Sequence, residues 1–534
     1  MTGTDPQASF AATFVDELIR RGVRHAFVSP GSRNTPLSLA LVARAELTVH
    51  VVLDERSAAF AALGVGRATG VPALCCCTSG TAAVNYHPAV VEAHHSAVPL
   101  LVVTADRPAR LRNTGANQTI DQTDLYGVAA RAGMDVTVDA DARVIAELAV
   151  NAAQRGLPGP AHVNLQFDEP LVPTGAIHVE PTEPVVITSS TATTTVELPA
   201  ASRPVVLAGW GADVTRLPAD VPVLADPLSG LRHGPDAIST YEALLRVPGF
   251  MELHRPDLVI RVGMPLTGKV THPWCDGSIP QVLVTADCRP ADPFGSAEAL
   301  VAPNAVFGAL AVDPHWTAQW RGAERDARAA IDATIDAFPT PFDGRIVRDL
   351  AALDQGPLYV GSSMPVRDLE YFASPSSQLR VHANRGASGI DGCIATAAGV
   401  AIGSEEATVG VIGDLTFLHD TNGLLVARDE WVPLVLVVLD NDGGGIFEFL
   451  PQRDAVPNEF ERLFGTPHDL DLVAVANAHG VTAARVVDPD AVVPAVQARV
   501  ERGEPSVIVV PSDREENVAR HRAVWHAVAA AVKG

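Results

Sequence analysis

Thr408-Val409-Gly410-Val411-Ile412-Gly413-Asp414-Leu415-Thr416 and Leu434-Val435-Leu436-Val437-Val438-Leu439-Asp440-Asn441-Asp442-Gly443-Gly444-Gly445 decide the reading of this chain. Each is an apolar run that ends in a polar, glycine-bearing turn. A helix-length segment separates them, which predicts a βαβ unit with adjacent parallel strands. Asp414 and Asn441 then stand at the carboxyl ends of neighbouring strands. Ligands of open α/β sheets bind at that edge. A carboxylate and an amide oxygen there suit a hard cation such as Mg²⁺, which usually binds together with substrate phosphates. Gly443 can add a backbone carbonyl, because glycine permits close approach. The pair asks for a metal-bridged diphosphate. A calcium loop starting at Asp440 fails, because its twelfth position is Pro451 and not Glu. Two ordinary strand-end turns remain the bland alternative.

Outward from this unit the chain divides into three blocks, 1–178, 200–336 and 343–534. A chain of 534 residues is too long for one core. In the first block, apolar runs at 25–28, 48–53, 73–77 and 99–104 alternate with helical patterns at about 35–44, 56–68 and 81–93. That alternation predicts a doubly wound sheet. The second block has strand candidates near 204–208, 221–225, 257–262 and 282–286. The third has them at 357–361, 379–382, 408–413, 434–440 and 505–510, with a helical tail at 515–532. The Thr-rich stretch Ile187-Thr188-Ser189-Ser190-Thr191-Ala192-Thr193-Thr194-Thr195 reads as a linker. The fold expected is three doubly wound α/β domains.

The net charge is −23, which makes nucleic acid and anionic membrane surfaces poor partners. No charge-free apolar stretch is long enough to span a membrane. The amino terminus has no signal-peptide pattern. Six cysteines show no CxxC spacing. Cys75-Cys76-Cys77 read as buried strand residues, and a cytoplasmic protein is expected.

Against this acidic background, Arg33, Arg107, Arg367 and Arg385 are informative. All lie in polar loops just past strand ends, where a guanidinium can hold a carboxylate bidentately. Surface ion pairs are the bland reading of any one of them; the set favours polyanionic substrates. Glu55, in Asp54-Glu55-Arg56, falls in the first turn of a helix, where an acid is favoured by the helix dipole anyway. Its apolar lead-in also allows a buried carboxyl that holds a proton against a ring nitrogen. Gly64-Val65-Gly66-Arg67-Ala68-Thr69-Gly70 ends a helical pattern and does not follow a strand, so a dinucleotide-binding loop is not expected.

These residues resemble thiamin diphosphate enzymes of the pyruvate decarboxylase and acetolactate synthase type. The diphosphate motif of that superfamily begins Gly-Asp-Gly and closes with Asn-Asn. Here Leu415 replaces the third residue and Asp440 the first Asn, while Asp414 and Asn441 stay in place. Within the superfamily the chain is most similar to the menaquinone-biosynthesis branch. The strings carrying this resemblance are Pro30-Gly31-Ser32-Arg33-Asn34, Asp54-Glu55-Arg56, Thr78-Ser79-Gly80-Thr81, Thr114-Gly115-Ala116-Asn117-Gln118, Asn384-Arg385-Gly386-Ala387-Ser388-Gly389-Ile390-Asp391-Gly392 and Gly443-Gly444-Gly445-Ile446-Phe447. They cover the first and third blocks; the middle block matches loosely.

The resemblance implies pyrimidine-binding, central and diphosphate-binding domains in that order. It implies thiamin diphosphate with Mg²⁺, Mn²⁺ being a possible substitute. It implies a homodimer or homotetramer whose active sites lie between subunits. Glu55 would contact the aminopyrimidine N1′, and Ile390 would hold the bent cofactor. Thr78, Gly80, Gly389, Gly413, Leu415, Thr416, Gly444 and Ile446 would complete the cofactor site, with Asp414, Asn441 and Gly443 on the metal. Ser32, Arg33, Arg107, Asn117, Gln118, Lys269, Ser363, Arg367, Arg385, Phe447 and Leu450 would meet substrate. The implied reaction decarboxylates 2-oxoglutarate and adds the succinyl carbanion to isochorismate. An acetolactate synthase-like enzyme using pyruvate and a non-catalytic binding protein on the same fold are the alternatives weighed. A dinucleotide oxidoreductase is weaker.

Overall fold

The computed structural model describes residues 5–173, 183, 195–212, 214, 217–285, 291–302, 306–354 and 356–532. Among the described residues there are three six-stranded parallel sheets. The first runs Thr48–Val51, His25–Val28, Ala73–Cys77, Leu100–Asp106, Pro160–Gln166, Ala132–Thr137 from edge to edge. The third repeats that order of winding, as Arg380–His382, Pro357–Val360, Thr408–Gly413, Leu434–Asp440, Ser506–Pro511, Thr482–Arg485. The middle sheet is wound differently, with Pro204–Ala208 beside Leu258–Val262 at the point where its strand order reverses. All three are doubly wound α/β units, as the alternation of runs predicts. Among the described residues, no helix is long and apolar enough to cross a membrane.

Three expectations need correction. The segment between Asp414 and Asn441 is not one helix but two short ones, Asp414–His419 and Gly423–Asp429. Asp420 between them accepts the Ala395 N–H, which ties the break to a neighbouring helix. Sequence reading also passed over the strands Ala132–Thr137, Pro160–Gln166 and Thr482–Arg485. Pro160–Gln166 is buried throughout, yet its His162 and Asn164 break the apolar pattern. Thr104 Oγ1 lies within hydrogen-bond distance of both side chains, 2.8 Å from each, so the strand carries polar groups inside without leaving them unpaired. The Thr-rich linker lies outside the described residues except for its last position. Thr195–Val196 is there a short strand paired with Val306–Phe307.

The first and third sheets share one core. Helix Glu55–Thr69 begins at Asp54, whose side chain accepts the Arg56 N–H, and ends at left-handed Gly70. It lies on helix Cys393–Ser404 through small residues, Gly64 against Thr396 and Gly399, and Ala61 against Gly399. A Cβ on Gly64 would sit 2.3 Å from the Thr396 carbonyl oxygen, so only glycine allows this approach. In the Gly64–Gly70 cluster, then, Gly64 serves helix packing, Gly66 lets the Pro99 carbonyl approach, and Gly70 caps the helix.

Candidate active site

Strands Thr408–Gly413 and Leu434–Asp440 pair in parallel, with Gly413 opposite Leu439. Their carboxyl ends, together with that of Pro357–Val360, open onto a cleft of about 520 Å³. Pro357–Val360 and Thr408–Gly413 are neighbours whose following strands go to opposite sides, which is where ligands of such sheets bind.

Asp414 is the first residue of its helix and is 2% exposed. Its Oδ1 accepts the Leu415 N–H at 2.6 Å and its Oδ2 the Gly443 N–H at 2.8 Å. Burial raises its pKa, and the two N–H donors pull the other way. Across the cleft floor, Asn441 directs its amide nitrogen at Asp343 Oδ2, 3.5 Å away. Its Oδ1 is buried and accepts no hydrogen bond. A carboxylate that resists charging and an unsatisfied amide oxygen are what a hard dication would stabilise. The donor set fits Mg²⁺.

Two further side chains frame this pair, and sequence reading missed both. Asp343 is fully buried, and burial, with Asp368 next in effect, pushes it up to about 6. His468 lies with Nε2 3.5 Å from Asp414 Oδ2 and 3.9 Å from Asp440 Oδ1. These three residues have metal-ligand spacing, their donor atoms lying within 4.8 Å of one another. The Leu470 N–H donates to His468 Nδ1 at 3.0 Å, however. Its Nε2 faces the Asp414 and Asp440 carboxylates. That Nε2 is buried and makes no hydrogen bond. Neither residue belongs to a local motif: Asp343 looks like a helix-start acid, and His468 follows an unremarkable turn.

The opposite wall carries positive charge. Helix Met364–Phe372 starts behind Ser363 and presents Arg367, whose Nη1 donates to the Ser363 carbonyl at 2.7 Å. Arg385 reaches the Ser362 carbonyl only at 3.5 Å, and its buried Nε has no partner. Burial lowers its pKa, a cost that a bound carboxylate would offset. Lys269 enters from the middle domain. Its loop is pinned because the Thr267 N–H donates to Asp226 at 2.8 Å and the Gly268 N–H to Glu370 at 2.9 Å.

A second cluster forms in the first domain. Arg107 donates to Ser79 Oγ and, at 2.7 Å, to the Gln118 carbonyl. Gln118 Nε2 returns a bond to the Ser79 carbonyl at 2.9 Å. Arg33 Nη1 donates to the Phe167 carbonyl at 3.0 Å. Burial and then the neighbouring Arg33 charge lower the pKa of Arg107. Glu55 is half-buried at the start of its helix.

Residues 8–125 match the family described as thiamine pyrophosphate enzyme, N-terminal TPP binding domain. Residues 366–510 match thiamine pyrophosphate enzyme, C-terminal TPP binding domain. A 2-succinyl-5-enolpyruvyl-6-hydroxy-3-cyclohexene-1-carboxylate synthase of Thermobifida fusca is 41% identical, over 99% of this chain and 100% of the relative. Synthases of the same name from Myxococcus xanthus and Geobacillus kaustophilus are each 38% identical, over 98% of this chain and 97% and 98% of theirs. The chain belongs to this synthase family. Its members are thiamin diphosphate enzymes; the first matched range includes Arg33, Glu55, Ser79, Arg107 and Gln118, and the second includes Arg367, Arg385, Asp414, Asn441 and Gly443.

Within one chain of this synthase the expected site residues fall into two groups. Lys269, Ser363, Arg367, Arg385, Ile390, Gly413, Asp414, Leu415, Thr416, Asn441, Gly443, Gly444, Ile446 and Phe447 line the cleft. Ser32, Arg33, Glu55, Thr78, Gly80, Arg107, Asn117 and Gln118 belong to the first domain and do not. Gly389 packs against the Asp391 side chain beside Ile390. Leu450 is 39% exposed and is not among the residues lining this cleft. It follows the Gly445–Phe449 turn, whose Ile446 and Phe447 line the cleft.

Proposed function

We propose that this synthase decarboxylates 2-oxoglutarate and adds the resulting succinyl carbanion 1,4 to isochorismate, releasing CO₂, as a step of menaquinone biosynthesis. The observation that carries this reading is the cleft itself. It sets an Asp414–Asn441 donor pair against Arg367, Arg385 and Lys269, so one space offers both a metal–diphosphate seat and cations for carboxylates. A site for a monocarboxylate would not need so many.

Bound thiamin diphosphate supplies the carbanion chemistry. Asp414, Asn441 Oδ1 and the Gly443 carbonyl would hold Mg²⁺, or Mn²⁺ in its place, and through it the diphosphate. Gly413, Leu415, Thr416, Gly444 and Ile446 shape that seat, while Ile390, supported by Gly389, buttresses the cofactor. Glu55 holds a proton at the aminopyrimidine N1′, with Thr78 and Gly80 alongside. Arg33, Arg107, Arg367, Arg385 and Lys269 bind substrate carboxylates. Ser32, Asn117, Gln118 and Ser363 supply neutral hydrogen bonds, and Phe447 excludes water.

Because the Glu55 group and the Asp414 group occupy separate places in one chain, we further propose that a complete site needs two chains. Glu55 of one would face Asp414 of the other in a homodimer, which a homotetramer would simply repeat. A cytoplasmic setting fits the buried free thiols of Cys75, Cys76 and Cys77.

The test is CO₂ release from 2-oxoglutarate and from pyruvate, each with and without isochorismate, in Mg²⁺ and thiamin diphosphate. Turnover of 2-oxoglutarate that rises with isochorismate supports the reading. Turnover of pyruvate alone refutes it.

A further inference from the structure

Arg385 rides on a loop that leaves the edge strand Arg380–His382 and runs to Gly392. Asn384 at its start is fixed within the third domain: Ser362 Oγ donates to its carbonyl, and its amide donates to Thr396 Oγ1 at 3.0 Å. The residues after Arg385 are held from elsewhere. Gly386 N–H donates to Glu92 Oε1 at 2.9 Å, and Ala387 N–H donates to Glu92 Oε2 at 2.7 Å. Glu92 belongs to helix His87–Ser96 of the first domain and is 3% exposed. Arg67 Nη2 at 3.1 Å and Ser96 Oγ at 2.6 Å also donate to Oε1. Both carboxylate oxygens are therefore committed, each to one of two successive backbone N–H groups across a domain boundary. Such charge-assisted bonds are the strong kind.

The fit is tight. A Cβ on Gly386 would lie 2.6 Å from the Ser96 backbone nitrogen and 2.7 Å from the Glu92 carbonyl oxygen. The loop thus sits directly on the helix. Arg385 itself borders two spaces, the cleft and a neighbouring cavity of about 300 Å³ that Arg67 and Ser96 also line.

We propose that Glu92 is a positioning residue that, across the domain boundary, holds Arg385 in the cleft and so sets the affinity for the anionic substrate. This rests on the reading that Arg385 binds a substrate carboxylate. Each first domain then has two duties. It supplies Glu55 to a site shared with a second chain, and through Glu92 it braces the arginine of its own chain's cleft.

The experiment measures KM and kcat for 2-oxoglutarate in the holoenzyme, with the dissociation constant of thiamin diphosphate from tryptophan fluorescence. Wild type, Glu92→Ala, Glu92→Gln, Arg385→Ala and the Glu92→Ala/Arg385→Ala double variant are compared. Glu92→Ala is expected to raise KM on the order of tenfold or more, because misplacing a binding group by about 1 Å is that costly. kcat should change much less, and cofactor affinity should stay at the wild-type value. Glu92→Gln should fall between, since one amide oxygen keeps one of the two acceptors. In the Arg385→Ala background, Glu92→Ala should add less than about twofold, because both remove the same interaction. A merely structural loss would lower the active fraction and leave KM alone.

Should Glu92→Ala not fold, Gly386→Ala displaces the same loop from the other side. It should raise KM with the same lack of additivity. A wild-type KM in Glu92→Ala or Gly386→Ala, alongside a raised KM in Arg385→Ala, overturns the role of Glu92 alone. Additive effects in the double variant do the same. A wild-type KM in Arg385→Ala removes the carboxylate assignment of Arg385 and this inference with it.

Discussion

Asp414→Asn tests the metal seat, and its size can be worked from the geometry. The carboxylate now accepts two backbone N–H bonds, at 2.6 and 2.8 Å. An amide oxygen can keep only one of them, and an unpaired buried N–H costs roughly 1–3 kcal/mol. Against that, the substitution removes a carboxylate whose pKa burial has raised, so the ligand-free protein should melt close to the wild type. The ligand-bound protein should not. Loss of a unit charge a few Å from a dication is worth at least about 3 kcal/mol at an effective dielectric of 20, or more than roughly a hundredfold in affinity. At a thiamin diphosphate–Mg²⁺ concentration about 100 times the wild-type Kd, binding stabilises the wild type by about 2.7 kcal/mol. The same concentration should stabilise the variant by no more than about 0.4 kcal/mol. In a domain of roughly 150–250 residues, that difference amounts to several degrees in Tm. Differential scanning fluorimetry with and without the ligand pair reads both quantities. A variant that gains the full wild-type shift would show that Asp414 holds no metal.

Glu55→Gln should keep cofactor affinity and lose nearly all turnover; full activity would remove its assigned role. Neither Glu55→Gln nor Asp414→Asn should work alone, but mixing and reassociating the two chains should restore up to about a quarter of wild-type activity, because half the dimers then hold one intact site. No recovery after demonstrated exchange would place both residues in one chain's site. Arg385→Ala should raise KM for 2-oxoglutarate by roughly 10- to 100-fold, the value of about 1.5–3 kcal/mol for a charged hydrogen-bonded pair. Asp420 predicts a pH effect. It is buried and pushed up to about 7, burial being the main cause. Its folded pKa lies above its unfolded value, so its contribution to stability is full below about pH 4 and is lost as pH rises through about 7. Asp420→Asn should therefore match the wild-type Tm near pH 4 and exceed it increasingly toward pH 8; a gap that does not change with pH would contradict this.

Much of the fold was legible because its signals are local. Leu434–Asp440 is buried along nearly its whole length, so its apolar run speaks for itself. Pro160–Gln166 was silent because its polar residues are satisfied by a neighbouring strand that no local pattern names. The two strand-end turns gave Asp414 and Asn441 by the same local logic. They gave no sign of His468 or Asp343, which reach the pair from distant parts of the chain. The Gly64–Gly70 cluster was read from sequence as no phosphate loop, but the purpose of Gly64 appeared only with helix Cys393–Ser404 laid against it.

By itself, then, the sequence determined three doubly wound domains, an aspartate–asparagine pair at adjacent strand ends, a glutamate at a helix start and a set of loop arginines. Strand ends, helix starts and charge are properties of neighbours along the chain, and a reader can find them there. Only the tertiary structure decided that these residues fall into two separate groups, one in the first domain and one around the cleft. It also decided that Glu92 grips the loop of Arg385. Those outcomes depend on how far each turn carries a side chain and on contacts between residues hundreds of positions apart, which no local pattern encodes.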